Sequence, residues 1–311
     1  YIADMGDRAI QLNKASAKLK KTNLKALSDV ELADVFESFF QIYQDLHLLH
    51  IPQTVLDFGD GTFSKYLMTY LDKKVKAAGL SMGDTFSTLT TPLELSRSAE
   101  EYQALLFILK DIIADEKLKK YFSLTESRII SSEINKISRP IAVKLKKHVD
   151  EFGSLGYGMV GPSWNLEYFI DILSSLIRQK IDPDTALRET DNNRLNIEKH
   201  QRELEKKLNI DDKHLGIFKF ARDLVFTKGS RKDAMFNAIA VLENLYREVS
   251  RRHYLSLRQV RYLDPTELIQ LLRGHQISAE LLNERFNFSI YYSSTKIPSD
   301  LFLVGEKAQA F

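Results

Sequence analysis

The stretch Ser230-Arg231-Lys232-Asp233-Ala234-Met235-Phe236-Asn237-Ala238-Ile239-Ala240-Val241-Leu242-Glu243-Asn244-Leu245-Tyr246-Arg247-Glu248-Val249 decides the fold class. Ala234, Met235, Ala238, Val241, Leu242, Leu245 and Val249 recur at about 3.5 residues, the period of a helix that buries one stripe against neighbouring helices. Ser230 stands where an N-cap is expected. Downstream, Ser256 with Gln259 and Asp264-Pro265-Thr266-Glu267 spell two capping boxes, so short helices continue to about Arg285. There the period changes to two: Phe286, Phe288, Ile290 and Tyr292 alternate with polar positions, and Leu301 to Val304 is a short apolar run beyond Pro298. These predict a β-hairpin or two edge strands.

Upstream the same helical signals repeat. Asp182-Pro183 is a cap followed by proline at the first helical position, where a missing amide costs nothing. Between Asp191 and Lys207 nine of seventeen residues are charged, with Glu198–Arg202 and Glu203–Lys207 in the favourable i,i+4 order, which reads as a solvated helical arm. Pro162-Ser163 introduces a helix with Trp164, Leu166, Phe169, Ile170 and Leu173 as its stripe and Ser163 as its cap. Pro140 must end or kink the apolar run from Ile129 to Leu145. Helices are also expected near Phe63–Ala78 and Arg97–Asp115. The first clear helix start is Ser28-Asp29-Val30-Glu31, a capping box followed by Leu32, Val35, Phe36, Phe39, Tyr43 and Leu46 at helical spacing, which Pro52 stops. The fold class is therefore mainly α, a multi-helix chain with a short C-terminal hairpin or edge strands. Gly153 to Gly161 holds four of the thirteen glycines and marks a break. The organisation expected is an N-terminal helical layer over residues 1–152, a helical domain over 153–285 and short strands over 286–311.

Composition agrees with a globular helical protein. The 311 residues carry 44 Lys plus Arg against 42 Asp plus Glu, a net charge of +2, which argues against a strongly basic nucleic-acid binder. Thirteen glycines and seven prolines give sparse punctuation, and the absence of cysteine excludes disulfides, thiolate metal sites and cysteine nucleophiles. The longest apolar run, Ala104 to Leu109, is six residues, so no membrane segment is expected and a cytoplasmic location is the default. The chain opens at Tyr1 without a basic-then-apolar leader, and we expect it to be a piece of something longer.

No motif announces autonomous chemistry. Gly156-Tyr157-Gly158-Met159-Val160-Gly161 has the letters of a dinucleotide fingerprint, but charged residues precede it and Pro162 follows, where a strand and a directly opening helix are required. Asp57-Phe58-Gly59 copies a kinase tripeptide without the catalytic loop or strand lysine that gives it meaning. His47 and His50 are three apart with no third ligand at matching spacing, so no metal site is expected. No catalytic residue is assigned. Arg247, Arg251, Arg252, Arg258 and Arg261, interleaved with Tyr246, Tyr254 and Tyr262, read either as a phosphate-binding face or, balanced by Glu243, Glu248 and Asp264, as a solvated helix face. Trp164, the single tryptophan, reads as a core anchor or, beside the glycine turn, as a ligand platform.

Several stretches together resemble a known family. Gly156-Tyr157-Gly158, with Gly161-Pro162-Ser163-Trp164-Asn165-Leu166-Glu167-Tyr168-Phe169, resembles the glycine and G-P-x-W-x-L-x-x-F loop-to-helix segment of phosphoenolpyruvate-utilising phosphotransferases. Phe220-Ala221-Arg222-Asp223 to Ser230-Arg231-Lys232-Asp233, then Arg247 to Arg252 and Tyr262-Leu263-Asp264-Pro265-Thr266-Glu267-Leu268, resemble that family's arginine pair, long helix and capped helix. Leu301 to Ala308 looks like the strand and turn leading into its mobile phosphohistidine domain. The likeness, to the helical region of phosphoenolpyruvate synthase-like and rifampin phosphotransferase-like proteins, is best from Gly153 to Ala310.

The resemblance implies a non-catalytic helical region, acceptor-binding or linking, partnered by an ATP-grasp domain and a mobile phosphohistidine domain. It implies no cofactor in this chain, with ATP and Mg serving the full system. None of the seven histidines sits in a carrier-loop context. Under the acceptor-binding form, Tyr157 and Trp164 are pocket walls for an apolar small molecule. Arg222 and Arg231 then face phosphate, or else make structural ion pairs. The competing reading is a helical scaffold or protein-interaction module without a small-molecule ligand, and nucleic-acid binding ranks third.

Overall fold

A computed structural model describes residues 1–57, 61–292 and 301–311 of the chain. It is mainly α with one short hairpin. In order, the elements are α1 (Ile2–Lys21), α2 (Asp29–Leu48), α3 (His50–Asp57), α4 (Thr62–Ala77), α5 (Met82–Thr90), α6 (Arg97–Ile113), α7 (Glu116–Leu124), α8 (Ser127–Ile137) and α9 (Arg139–Phe152). They continue as α10 (Leu166–Arg178), α11 (Pro183–Lys207), α12 (Asp212–His253), α13 (Leu257–Arg261), α14 (Pro265–Leu272), α15 (Ala279–Asn287), β1 (Ser289–Tyr292), β2 (Leu301–Val304) and α16 (Gly305–Ala310). The chain divides into two compact units, one of Tyr1–Ile10 with Leu46–Asn237, the other of Gln11–Asp45 with Ala238–Phe311.

In the first unit one core is built by α6 to α10. Leu105, Leu109 and Ile112, Ile130 and Ile134, Ile141 and Leu145, and Phe169 with Leu173 stand three, four or seven apart on their helices, so each helix turns one stripe inward. Each such side chain contributes roughly 2 kcal/mol on burial. Phe152 and Phe169 belong to the same core, so the glycine segment between them turns the chain within one unit. Ions close the rim: Lys110 reaches Asp184 at 2.6 Å, and Lys144 pairs with Asp111. A second core joins Leu67, Leu71 and Val75 of α4 and Leu89 of α5 to Leu208, Ile210, Phe218 and Ala221. Buried Gln201 of α11 stitches this region by donating to the Thr88 and Thr91 carbonyls at the end of α5, both at 2.8 Å.

In the second unit Phe36 of α2 lies 6.4 Å from Tyr246 of α12, ring to ring, and stacks on Phe40 at 5.5 Å. Beneath the aromatic layer Glu248, only 5% exposed, accepts from Arg251 and Arg252, and Arg252 goes on to Asp29 at 2.8 Å and the Leu24 carbonyl at 3.0 Å. The guanidinium of Arg251 holds the Glu248 carboxyl down to about 2. Both downstream capping boxes form, Ser256 with Gln259 and Asp264 with Glu267, as does the Ser28–Glu31 box at the start of α2. Buried Arg285 of α15 forks onto Glu267 at 2.6 and 2.7 Å, donates to the Tyr262 carbonyl, and lays its guanidinium 4.2 Å from the Phe302 ring. That contact docks the antiparallel hairpin, in which Ser289 faces Val304 and Tyr292 faces Leu301. A two-stranded ribbon needs such packing to persist.

The structure departs from the sequence expectations at four places. Ser230 caps nothing: α12 runs unbroken from Asp212 to His253, and Gly229 in its interior costs only about 1 kcal/mol. Asn165, not Ser163, caps α10, its Oδ1 accepting from the Tyr168 amide at 2.9 Å, so Trp164 precedes the helix. Helix α2 ends at Leu48 and Pro52 sits in the first turn of α3, where proline is tolerated. A helix also forms from Ile2, whose buried positions Met5, Ala9, Leu12, Ser16 and Leu19 make a stripe too narrow to stand out by composition. The Asp57-Phe58-Gly59 tripeptide lies partly outside the described residues.

Candidate functional site

The glycine turn between α9 and α10 is where sequence placed the candidate site, and its glycines exist to seat two aromatic rings. A single 3-10 turn over Gly153–Gly156 leaves α9. The Trp164 amide then returns to the Gly153 carbonyl at 2.9 Å, closing the loop on itself. A methyl group on Gly156 would sit inside the indole of Trp164, so the ring lies flat against that backbone. At Gly161, with φ +76°, a methyl would stand 2.8 Å from the Tyr157 ring, and the Gly161 amide donates to the Tyr157 carbonyl at 2.7 Å.

The indole is held from its other sides too. Trp164 stacks on Tyr168 at 4.6 Å and 11°, and meets Phe169 edge-on at 6.0 Å. Phe169 in turn receives His148 edge-to-face at 4.6 Å, and His148 Nε2 lies 2.8 Å from the Glu101 carboxylate. Both His148 and Glu101 are buried, a pairing that satisfies two polar groups inside the core. Burial pushes the Tyr168 phenol above its ordinary range, and the Glu101 charge adds to this. Arg97 covers the cluster with its guanidinium 4.3 Å from the Phe152 ring, while pairing with Glu100 at 2.7 Å and Glu151 at 3.3 Å. What the turn offers to solvent is Met159 and Val160, 67% and 69% exposed.

Of the four residues singled out by sequence, Tyr157 is 5% exposed and Trp164 half-buried, and the structure brings both to this one turn. Arg222 Nη1 donates to the Leu89 carbonyl and to Glu205, each at 3.2 Å, tying α12 to α5 and α11, the interhelical role weighed for it. Arg231 places Nη1 3.0 Å from Met235 Sδ and lies near enough to His47 to help lower that imidazole's proton affinity, after burial and His50. Nine positions separate the two arginines, a rotation of about 180° around one helix, so they do not share a face.

Sequence reasoning missed Glu101, His148 and Asn165. Only the i,i+3 relation of Asn165 to Tyr168 was readable in advance, as a cap. Among the described residues no group of three or more His, Cys, Asp or Glu side chains is placed to hold a metal ion, and no helix is long and apolar enough to cross a membrane. A hollow of about 310 Å³ runs along the outer side of α11, lined by Leu195, Glu198, Lys199, Arg202, Glu203 and Lys206. Its walls all come from one helix, so it is a surface groove rather than an enclosed site. Set against known protein families and curated proteins, the chain finds no match.

Proposed function

We propose that this chain is the non-catalytic helical region of a phosphoenolpyruvate synthase-like phosphotransferase, and that within such a system it links and positions rather than binds the acceptor. The family part of the reading rests on the resemblance of Gly153 to Ala310. The observation that favours linking is the seating of Trp164: an indole pressed on Gly156, stacked on Tyr168 and edged by Phe169 is committed to packing on three sides. Arg222, engaged with Glu205 and a carbonyl, is likewise occupied inside the fold. On this reading the partners are an ATP-grasp domain, which takes ATP and Mg, and a mobile phosphohistidine domain, all in the cytoplasm.

The test is labelling. With radiolabelled phosphoenolpyruvate, or with ATP labelled at the γ-phosphate plus Mg, the purified chain should acquire no acid-labile phosphoryl group. Label on any of its seven histidines would overturn the non-catalytic assignment. Titration with the apolar dye 1-anilinonaphthalene-8-sulfonate, read by the dye's own emission on direct excitation, separates the two forms. Linking predicts no saturable binding, and a saturable site that Trp164→Phe weakens would restore the acceptor pocket.

A further inference from the structure

On the first unit, away from the glycine turn, α4 and the start of α12 bring a phenol, an imidazole and a carboxylate into line. Asp211 accepts the His214 amide at 3.0 Å, and both of its oxygens lie 2.8 Å from His214 Nδ1. A carboxylate there fixes the tautomer: Nδ1 carries the hydrogen and donates it, which leaves the Nε2 lone pair bare. That lone pair faces the Tyr66 hydroxyl at 3.0 Å. Tyr70 completes the mount, its hydroxyl donating to Asp211 at 2.7 Å and its ring stacked 3.4 Å from the imidazole. The hydrogen bond from Tyr70, and then those from His214, hold the Asp211 carboxyl far below the usual carboxylate range, so it stays anionic behind the imidazole.

The imidazole is shielded, with 14% of its side chain exposed, whereas Tyr66 is 44% exposed. Of the phenol and the imidazole, the phenol is therefore the one presented to an incoming reagent, while the Asp211 carboxylate, itself exposed, orients the imidazole from its other nitrogen. Nucleophile, base and orienting acid within hydrogen-bond reach is the arrangement by which a hydroxyl is activated. From it we infer that Tyr66 is a nucleophilic acyl-acceptor site, with His214 as its general base and Asp211 as the positioning residue, taking neutral activated esters.

The charge around it selects the electrophile. Lys74, its ammonium 5.3 Å from the centre of the Tyr70 ring, directs it to the carbonyls of Leu208 and Asn209 at 3.1 and 2.9 Å. The Asp211 anion behind His214 disfavours a dianionic phosphoryl group and leaves a neutral ester carbonyl unopposed. In the step, the Tyr66 oxygen bonds the carbonyl carbon, its proton passes to His214 Nε2, and the leaving oxygen departs with the electron pair of the broken ester bond and takes that proton from Nε2 to become an alcohol or phenol. This site is independent of the phosphotransfer reading.

The experiment treats the whole chain with p-nitrophenyl acetate and maps O-acetyltyrosine by peptide mass spectrometry, with Tyr254, 95% exposed, as the internal reference. Tyr66 should acetylate about 100-fold faster than Tyr254, the scale of a positioned general base, and His214→Gln should remove that advantage. Should that variant fail to fold, Asp211→Asn, which keeps the side-chain shape and removes the orienting charge, should lower the Tyr66 rate toward that of Tyr254. Equal rates at Tyr66 and Tyr254 in the native chain, or a Tyr66 rate unchanged in the folded variant, overturn the assignment.

Discussion

Gly156 and Trp164 carry the local argument at the scale of single residues. Adding a methyl at Gly156 forces the indole out of its seat, so Gly156→Ala should destabilise the chain by about 1–3 kcal/mol, the usual cost of overpacking, and shift the tryptophan emission to the red. Denaturant unfolding followed by fluorescence reads both, and an unchanged midpoint would show that the ring has room to move. In the second unit Glu248 supplies a pH handle. Its carboxyl is held at about 2, mainly by Arg251, against an ordinary 4.5. A depressed carboxylate stabilises the fold above its unfolded pKa, so this contribution is complete above about pH 5 and is lost as pH falls from 4.5 toward 2. The melting temperature should therefore fall across that window, and Glu248→Gln should flatten the fall. A variant with the native slope would assign the acid sensitivity elsewhere.

At the scale of elements, α12 separates two accounts of the same residue. If Ser230 began a helix, Ser230→Ala would cost about 1 kcal/mol; in the interior of α12 it should be neutral or slightly stabilising. Gly229 is exposed with open space at its Cβ position, so Gly229→Ala should stabilise by about 0.5–1 kcal/mol, measured by chemical denaturation. A loss at either position would mean that the helix breaks there. These positions also show what was legible in the sequence. The caps at Ser28, Asp182, Ser256 and Asp264 were readable because each is a local pattern of an acceptor and an amide two or three residues on. Ser230 misled because a local cap pattern cannot reveal that the helix already runs from Asp212, with Phe218 and Ala221 packed into a core with α4. The hairpin was legible from its alternation, but its anchor, Arg285 between Glu267 and Phe302, was not, since both partners are remote in sequence. At the candidate site the nearness of Tyr157 and Trp164 is legible, but that Trp164 precedes the helix is not, because Asn165 takes the cap, and the buried Glu101–His148 pair, 47 residues apart, leaves no mark on any local pattern.

For the molecule as a whole, helices closed by their own side-chain caps suit a part that holds other parts in register. At the glycine turn Trp164, Tyr168 and Phe169 pack on one another inside their own unit, and Arg222, Arg252 and Arg285 are engaged by carboxylates and carbonyls. Under the proposed reading, phosphoryl transfer belongs to partner domains and stability to this chain. The most direct measurement is to read the coding sequence that follows the Phe311 codon. The account predicts a mobile domain whose glycine-rich loop ends in the histidine that carries the phosphoryl group. A stop codon or an unrelated domain would contradict it and put the helical scaffold in its place.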